Sequence, residues 1–142
     1  MLTFLFFVSV LTTAVMVGVI WVVQLVHYPF FHRIDRELFG DHMDAHRSRI
    51  SYIVVPVMLV ELGASIGLVV IESSLRLEFT TALALLLGVW ASTALLQVPS
   101  HSKLAAGYDE SEVNKLVSTN WIRTILWTLR LLLLVYVLPH LT

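Results

Sequence analysis

The stretch LTFLFFVSVLTTAVMVGVIWVVQLV, residues 2–26, decides the fold class, because twenty-five residues pass without a charge. At about 1.5 Å per residue, a helix of that length exceeds the roughly 30 Å of hydrocarbon in a bilayer. It starts right after Met1 but has no basic leader, and no small-residue cleavage site precedes His27. It is also longer than the apolar core of a signal peptide, so it reads as a retained helix. Residues 50–71, 80–98 and 121–138 are three further stretches of spanning length. Backbone in lipid must bond to itself, and the alternating pattern of a membrane barrel is missing. The expected fold is therefore all-α, an integral membrane four-helix transmembrane bundle forming one domain over residues 1–142.

Composition agrees. The chain is 58% hydrophobic and 13% charged, with mean hydropathy +0.85, whereas soluble domains carry about 25% charged residues. A net charge of −1 offers no basic field for nucleic acid. The absence of cysteine excludes disulfides, thiolate nucleophiles, iron–sulfur clusters and thiolate-bound zinc. The expected partners are the lipid bilayer, a lipophilic small molecule, and other membrane subunits or a second copy of the chain.

Spans two and three are joined by the short ESSLRLE, residues 72–78, so they form a tight helical hairpin. The longer connections, 27–49 and 99–120, must then share the opposite side. They hold Arg33, Arg36, Arg47, Arg49, Lys103 and Lys115, against Arg76 alone on the other face. The positive-inside rule places them in the cytoplasm and both termini outside, as expected for a bacterial inner-membrane protein. Phe30, Phe31, Ile34, Leu38 and Phe39 recur at roughly helical spacing. They predict an amphipathic helix after the first span, lying at the interface or extending span one inward, with Pro29 in its first turn. Pro99 is expected to open a short turn, after which residues 111–116 lead helically into span four.

Polar residues inside spans are expensive and carry most of the information. Glu61 and Arg130 both lie about 14–16 Å from the cytoplasmic ends of their spans. Matching depth and opposite charge make them an intramembrane ion pair if spans two and four are adjacent; it could act as a register clamp or as a proton or ligand site. Asn120, Arg123, Trp127 and Arg130 fall on one face of span four. That face must look into the bundle, with Trp127 placed for cation–π packing. Trp21, Gln24 and His27 close span one; Trp90, Thr93 and Gln97 close span three, followed at once by His101. Gln24, His27, Gln97, His101, Asn120 and Arg123 therefore converge in a shallow band near the cytoplasmic face.

His42 and His46 stand at i and i+4, the spacing at which one helix face can hold a metal ion. Their alternative is to face headgroups beside Arg47. His27 and His101, from different spans, form a candidate axial pair for a b-type haem. A histidine-bound metal, a haem and no cofactor at all stay open on the sequence.

The sequence His27-Tyr28-Pro29 at the end of span one, with Asn120-Trp121-Ile122-Arg123-Thr124 opening span four, resembles the anthrone oxygenase-like family of small membrane proteins. The resemblance covers the layout and about ten residues. It implies four short spans and, for some members, cofactor-independent oxygenation of polyketide anthrones. A fainter similarity, through Trp21, Pro29 and His46-Arg47, is to the bacterial membrane protoporphyrinogen oxidase, which binds haem. The Leu-Pro-Arg of that protein is replaced by Tyr28-Pro29-Phe30, so its haem ligands are not carried over.

These readings combine into an oxidoreductase or oxygenase acting on a lipophilic aromatic or quinone-like substrate. His27, His101, Arg123, Glu61 and Arg130 are its expected working groups, and Gln24, Gln97, Asn120 and Trp127 line its pocket. The alternative is a non-catalytic accessory subunit that binds a partner subunit, a lipid or a pigment.

Overall fold

The computed structural model describes residues 1–140; Leu141 and Thr142, counted in the expected domain, lie outside the described residues. Four long helices form the bundle: α1 (Leu2–Arg33), α2 (Phe39–Ile71), α3 (Arg76–Leu104) and α4 (Glu110–His140). All four are long and apolar enough to cross a membrane, and the chain is an integral membrane protein of the all-α class. Consecutive helices pack laterally on one another, and α1 also packs on α4. The helices thus run up-down-up-down around a square, with α2 and α4 on one diagonal.

Local chemistry sets the turns. Ile34 is extended, and the Asp35 carboxylate accepts the Glu37 N–H at 3.0 Å, a side chain standing in for a backbone turn. The Glu72 carboxylate accepts both the N–H and the hydroxyl of Ser74, which holds its pKa below the usual range. Gly107 has φ +145°, a conformation L side chains rarely adopt, and it lets α3 turn back into α4. Asp109 then caps α4 by accepting the Glu112 N–H at 3.1 Å, with Glu110 and Glu112 favourably placed in the positive first turn.

The interfacial helix expected after span one is not a separate element. Its residues are shared between the last turns of α1 and the first turn of α2, and the break falls at residues 34–38. Two of the three phenylalanines expected on its apolar face instead pack inward, Phe31 and Phe39 being buried with Tyr28, Met43, Leu104 and Leu116, while Phe30 stays exposed. Pro99 opens no turn either. Both Pro29 and Pro99 sit inside continuous helices, each two positions after a π-helical turn, Val23–His27 and Thr93–Gln97. There Tyr28 N–H bonds to Val23 and Val98 N–H to Thr93, five residues back. Proline lacks an N–H and its ring crowds the preceding turn; one wider turn relieves both without ending the helix.

Candidate functional site

The buried polar residues separate into two groups at different depths. The deeper group is built on Arg130, at the bundle centre. Its Nε meets Glu61 Oε1 at 3.1 Å and the Thr13 hydroxyl at 3.1 Å. Its Nη2 donates to Ser9 at 2.8 Å and Ser65 at 2.7 Å, and its Nη1 to the Ala82 carbonyl. Thr13 lies 2.7 Å from Glu61 Oε1, and Trp127 Nε1 donates to Glu61 Oε2 at 3.2 Å. Glu61 and Arg130 are fully buried. The ion pair expected from matching depth is therefore present, but it does not need adjacent helices. The long Arg130 side chain meets Glu61 and Ser65 of α2 across the diagonal, and α1 and α3 supply the remaining partners. A charge pair so completely satisfied has the character of a clamp.

The second group lies toward the end where the 34–38 and 105–109 turns are. The Gln24 amide nitrogen donates to the Val117 carbonyl at 3.1 Å, and its oxygen accepts from Asn120 Nδ2 at 2.8 Å. Asn120 Oδ1 in turn accepts from Arg123 Nε at 2.9 Å and also from Nη2. Arg123 Nη2 reaches the Tyr28 hydroxyl at 3.2 Å, and that hydroxyl lies 3.0 Å from His101 Nε2. A guanidinium can only donate, so the Tyr28 oxygen accepts from Arg123, and its single hydrogen is free to point at His101 Nε2 in the tautomer that carries the ring proton on Nδ1, 3.3 Å from the Met43 sulfur. Gln24, Asn120, Arg123, Tyr28 and His101 thus form one continuous chain linking α1, α3 and α4, with donation running outward on both sides from Arg123.

Arg123 differs from Arg130 in one respect. Among the described residues it meets no carboxylate, only Asn120, Tyr28 and, at 3.5 Å, the Thr93 hydroxyl. Four of its five N–H groups are engaged, and the one left over is on Nη1. Arg123 is 7% exposed, so the charge is withdrawn from water without an internal counter-ion.

A cavity of about 400 Å³ opens beside this chain, within the usual range of small-molecule sites, about 300–1,000 Å³. Tyr28, His101 and Arg123 line its polar end, and Met16, Ile20, Val54, Met58, Trp90 and Trp127 its apolar walls. Ser51, Val55, Ala94 and Val98 also line it and are exposed. Its mouth therefore lies between α2 and α3 and faces the lipid. The indole N–H of Trp90 is buried in this wall without a partner. A second hollow, about 360 Å³, lies on the α1–α2 side and contains His27 and His46.

The residues expected from sequence are distributed as follows. Gln24, Asn120, Arg123 and His101 come together, and Gln97 lines the same cavity while holding Thr119 at 3.1 Å. Trp127 walls the cavity and bonds to Glu61, with no cation–π contact; among the described residues that geometry is found for Arg36 over Tyr108. Glu61 and Arg130 do not line the cavity. His27 turns to His46, ring centroids 4.4 Å apart, with its own Nε2 buried and unpartnered. His42 is exposed, while His46 turns inward toward His27 and His101. The expected His42–His46 metal pair is thus divided between surface and interior. Among the described residues no group of three or more His, Asp or Glu is placed to hold a metal ion.

A bis-histidine haem on His27 and His101 does not fit these residues. Both nitrogens of His101 are already engaged, by Tyr28 and Met43. The His27 ring lies against that of His46, tilted by 31° with centroids 4.4 Å apart, and so is turned to α2 rather than to His101.

Sequence reasoning passed over Tyr28, the residue on which the chain turns, and the π turn explains why. Buried positions on α1 recur every seven residues through Phe6, Thr13 and Ile20, so regular spacing puts His27 next. The π turn adds one residue, about 100° of rotation, and hands the inward position to Tyr28. The same shift on α3 brings in Gln97 after Ala82 and Val89. A proline near the end of an apolar helix that does not end there is the signal that could have revealed both.

No family model matches the chain, and neither a curated protein nor a solved structure does. Fold and site define it as a small four-helix membrane protein with a lipid-facing cavity that ends on buried polar groups.

Proposed function

We propose that the chain is a membrane-embedded oxidoreductase, an oxygenase in its simplest form, acting on a lipophilic aromatic substrate that carries a phenol or carbonyl oxygen. The observation that supports it is the junction of an uncompensated Arg123, the Tyr28 hydroxyl and the His101 ring on the polar end of a cavity open to lipid. A proton leaving the substrate passes to the Tyr28 oxygen as the tyrosine proton moves to His101 Nε2, making an imidazolium. The Arg123 guanidinium stabilises the enolate or phenolate left behind. Dioxygen is the oxidant. A ring methylene activated in this way takes up O₂ as a peroxide anion, which takes the proton back from the His101 imidazolium through Tyr28; the hydroperoxide then loses water to leave a ketone, so that RCH₂R′ and O₂ become RCOR′ and H₂O. Glu61 and Arg130 serve as the clamp that fixes α4 in register beneath the site. The excess of basic residues on the two longer connections supports a cytoplasmic position for this end.

The test is dioxygen uptake by the purified protein in mild detergent, offered anthrones and long-tailed hydroquinones. Saturable uptake that disappears in His101→Ala, with the variant still monodisperse and helical, supports the enzyme. No uptake with any of these compounds, together with loss of a co-purifying membrane protein in His101→Ala or Arg123→Ala, makes the chain an accessory subunit instead.

A further inference from the structure

The proposed function leaves open the charge state in which the occupant rests in the cavity before any chemistry. We infer that the cavity binds an acidic amphiphile as its anion, with the acidic head on Arg123 and the apolar tail leaving between α2 and α3 into the bilayer. The inference rests on the reading of this cavity as the binding site, and it adds the class of molecule.

Three observations carry it. First, the two buried arginines of α4 are treated differently: Arg130 has Glu61 at 3.1 Å, while Arg123 meets no carboxylate among the described residues. A guanidinium removed from water at membrane depth is costly without an anion. The other groups around the head position, His46, Arg47 and His101, are basic or neutral, so an anion meets no repulsion there. Second, one N–H of Arg123, on Nη1, is unused, and Arg123 lines the polar end of the cavity. Anions accept such hydrogen bonds most strongly. Third, the remaining wall is apolar and its mouth is flanked by the exposed Val55 and Val98. A ligand with its head on Arg123 can therefore leave its tail in lipid, and the protein need not enclose it. The hydrogen-bond chain from Gln24 through Asn120 holds the guanidinium in place before the ligand arrives, which lowers the ordering cost of binding.

The cavity tryptophans provide the readout. Trp21 and Trp121 are half-exposed partners at 5.7 Å on the outer surface, whereas Trp90 and Trp127 line the cavity. In a Trp21→Phe/Trp121→Phe protein in dodecyl maltoside, 9,10-dibromostearate should quench the remaining fluorescence saturably. Its methyl ester should need at least about tenfold more ligand. Arg123→Gln should remove that preference and Arg123→Lys should retain most of it. Equal midpoints for acid and ester, or an undiminished preference in Arg123→Gln, overturn the inference. If Arg123→Gln does not fold, the acid–ester comparison on the parent protein decides alone. A neutral long-tailed quinone is the third probe. Saturable quenching relief by the quinone with no preference for acid over ester preserves the cavity as a binding site and defeats only the anion.

Discussion

The Tyr28 hydroxyl lies 3.0 Å from His101 Nε2 while its oxygen accepts from Arg123 Nη2 at 3.2 Å. A hydroxyl 73 residues away in sequence thereby favours the His101 tautomer protonated at Nδ1. Replacing Tyr28 with Phe removes the donor. Nitrogen-15 NMR on histidine-labelled protein should find wild-type His101 protonated at Nδ1 and neutral, and Tyr28→Phe in a mixture of tautomers. An unchanged His101 spectrum would mean that Met43, not Tyr28, holds the ring.

The Glu61–Arg130 clamp makes a stability prediction. Glu61→Gln or Arg130→Gln leaves the other charge buried and should cost about 3–5 kcal/mol in denaturant titration of the detergent-solubilised protein. Replacing both, Glu61→Leu with Arg130→Met, should cost less than the two single changes added together, since no unpaired charge remains. Additive losses would show that the two side chains act separately.

Glycine positions discriminate tight from open packing. A Cβ at Gly40 would lie 3.0 Å from the Ala105 carbonyl oxygen, a backbone atom that does not yield easily. Gly40→Ala should destabilise by about 1–3 kcal/mol. A Cβ at Gly18 meets nothing within 4 Å, and Gly18→Ala should stabilise by up to about 1 kcal/mol, through helix propensity alone. Thermal unfolding of the two variants checks the sign of each.

The chain contains no cysteine, so single-cysteine variants report topology cleanly. With a membrane-impermeant maleimide, Ser74→Cys should label in intact cells and Ala106→Cys only in inverted vesicles. Labelling of both from the same side would contradict the four-span arrangement, and the reverse pattern would invert the orientation proposed from the basic residues.

Much of this was legible in the sequence, for identifiable physical reasons. Predominantly apolar runs of spanning length point to the four helices, because lipid allows few alternatives. The depth of Glu61 and Arg130 is arithmetic on helix rise, and the inward face of α4 follows from the cost of exposing Asn120 and Arg123 to lipid. What regular periodicity could not reach lies beyond the π turns. There the inward position passes from His27 to Tyr28, and residues expected in an interfacial helix become core. Diagonal packing was also hidden, since depth alone cannot tell a neighbouring helix from an opposite one when the side chain is as long as arginine.

The central claim is that the Arg123–Tyr28–His101 junction moves a substrate proton, and steady-state kinetics on Tyr28→Phe test it most directly. With a substrate found by dioxygen uptake, Tyr28→Phe should lower kcat by about 10²-fold or more while KM changes little. Tyr52→Phe, on the exposed outer face, should behave as wild type. A Tyr28→Phe protein that folds and turns over at the wild-type rate would contradict the account.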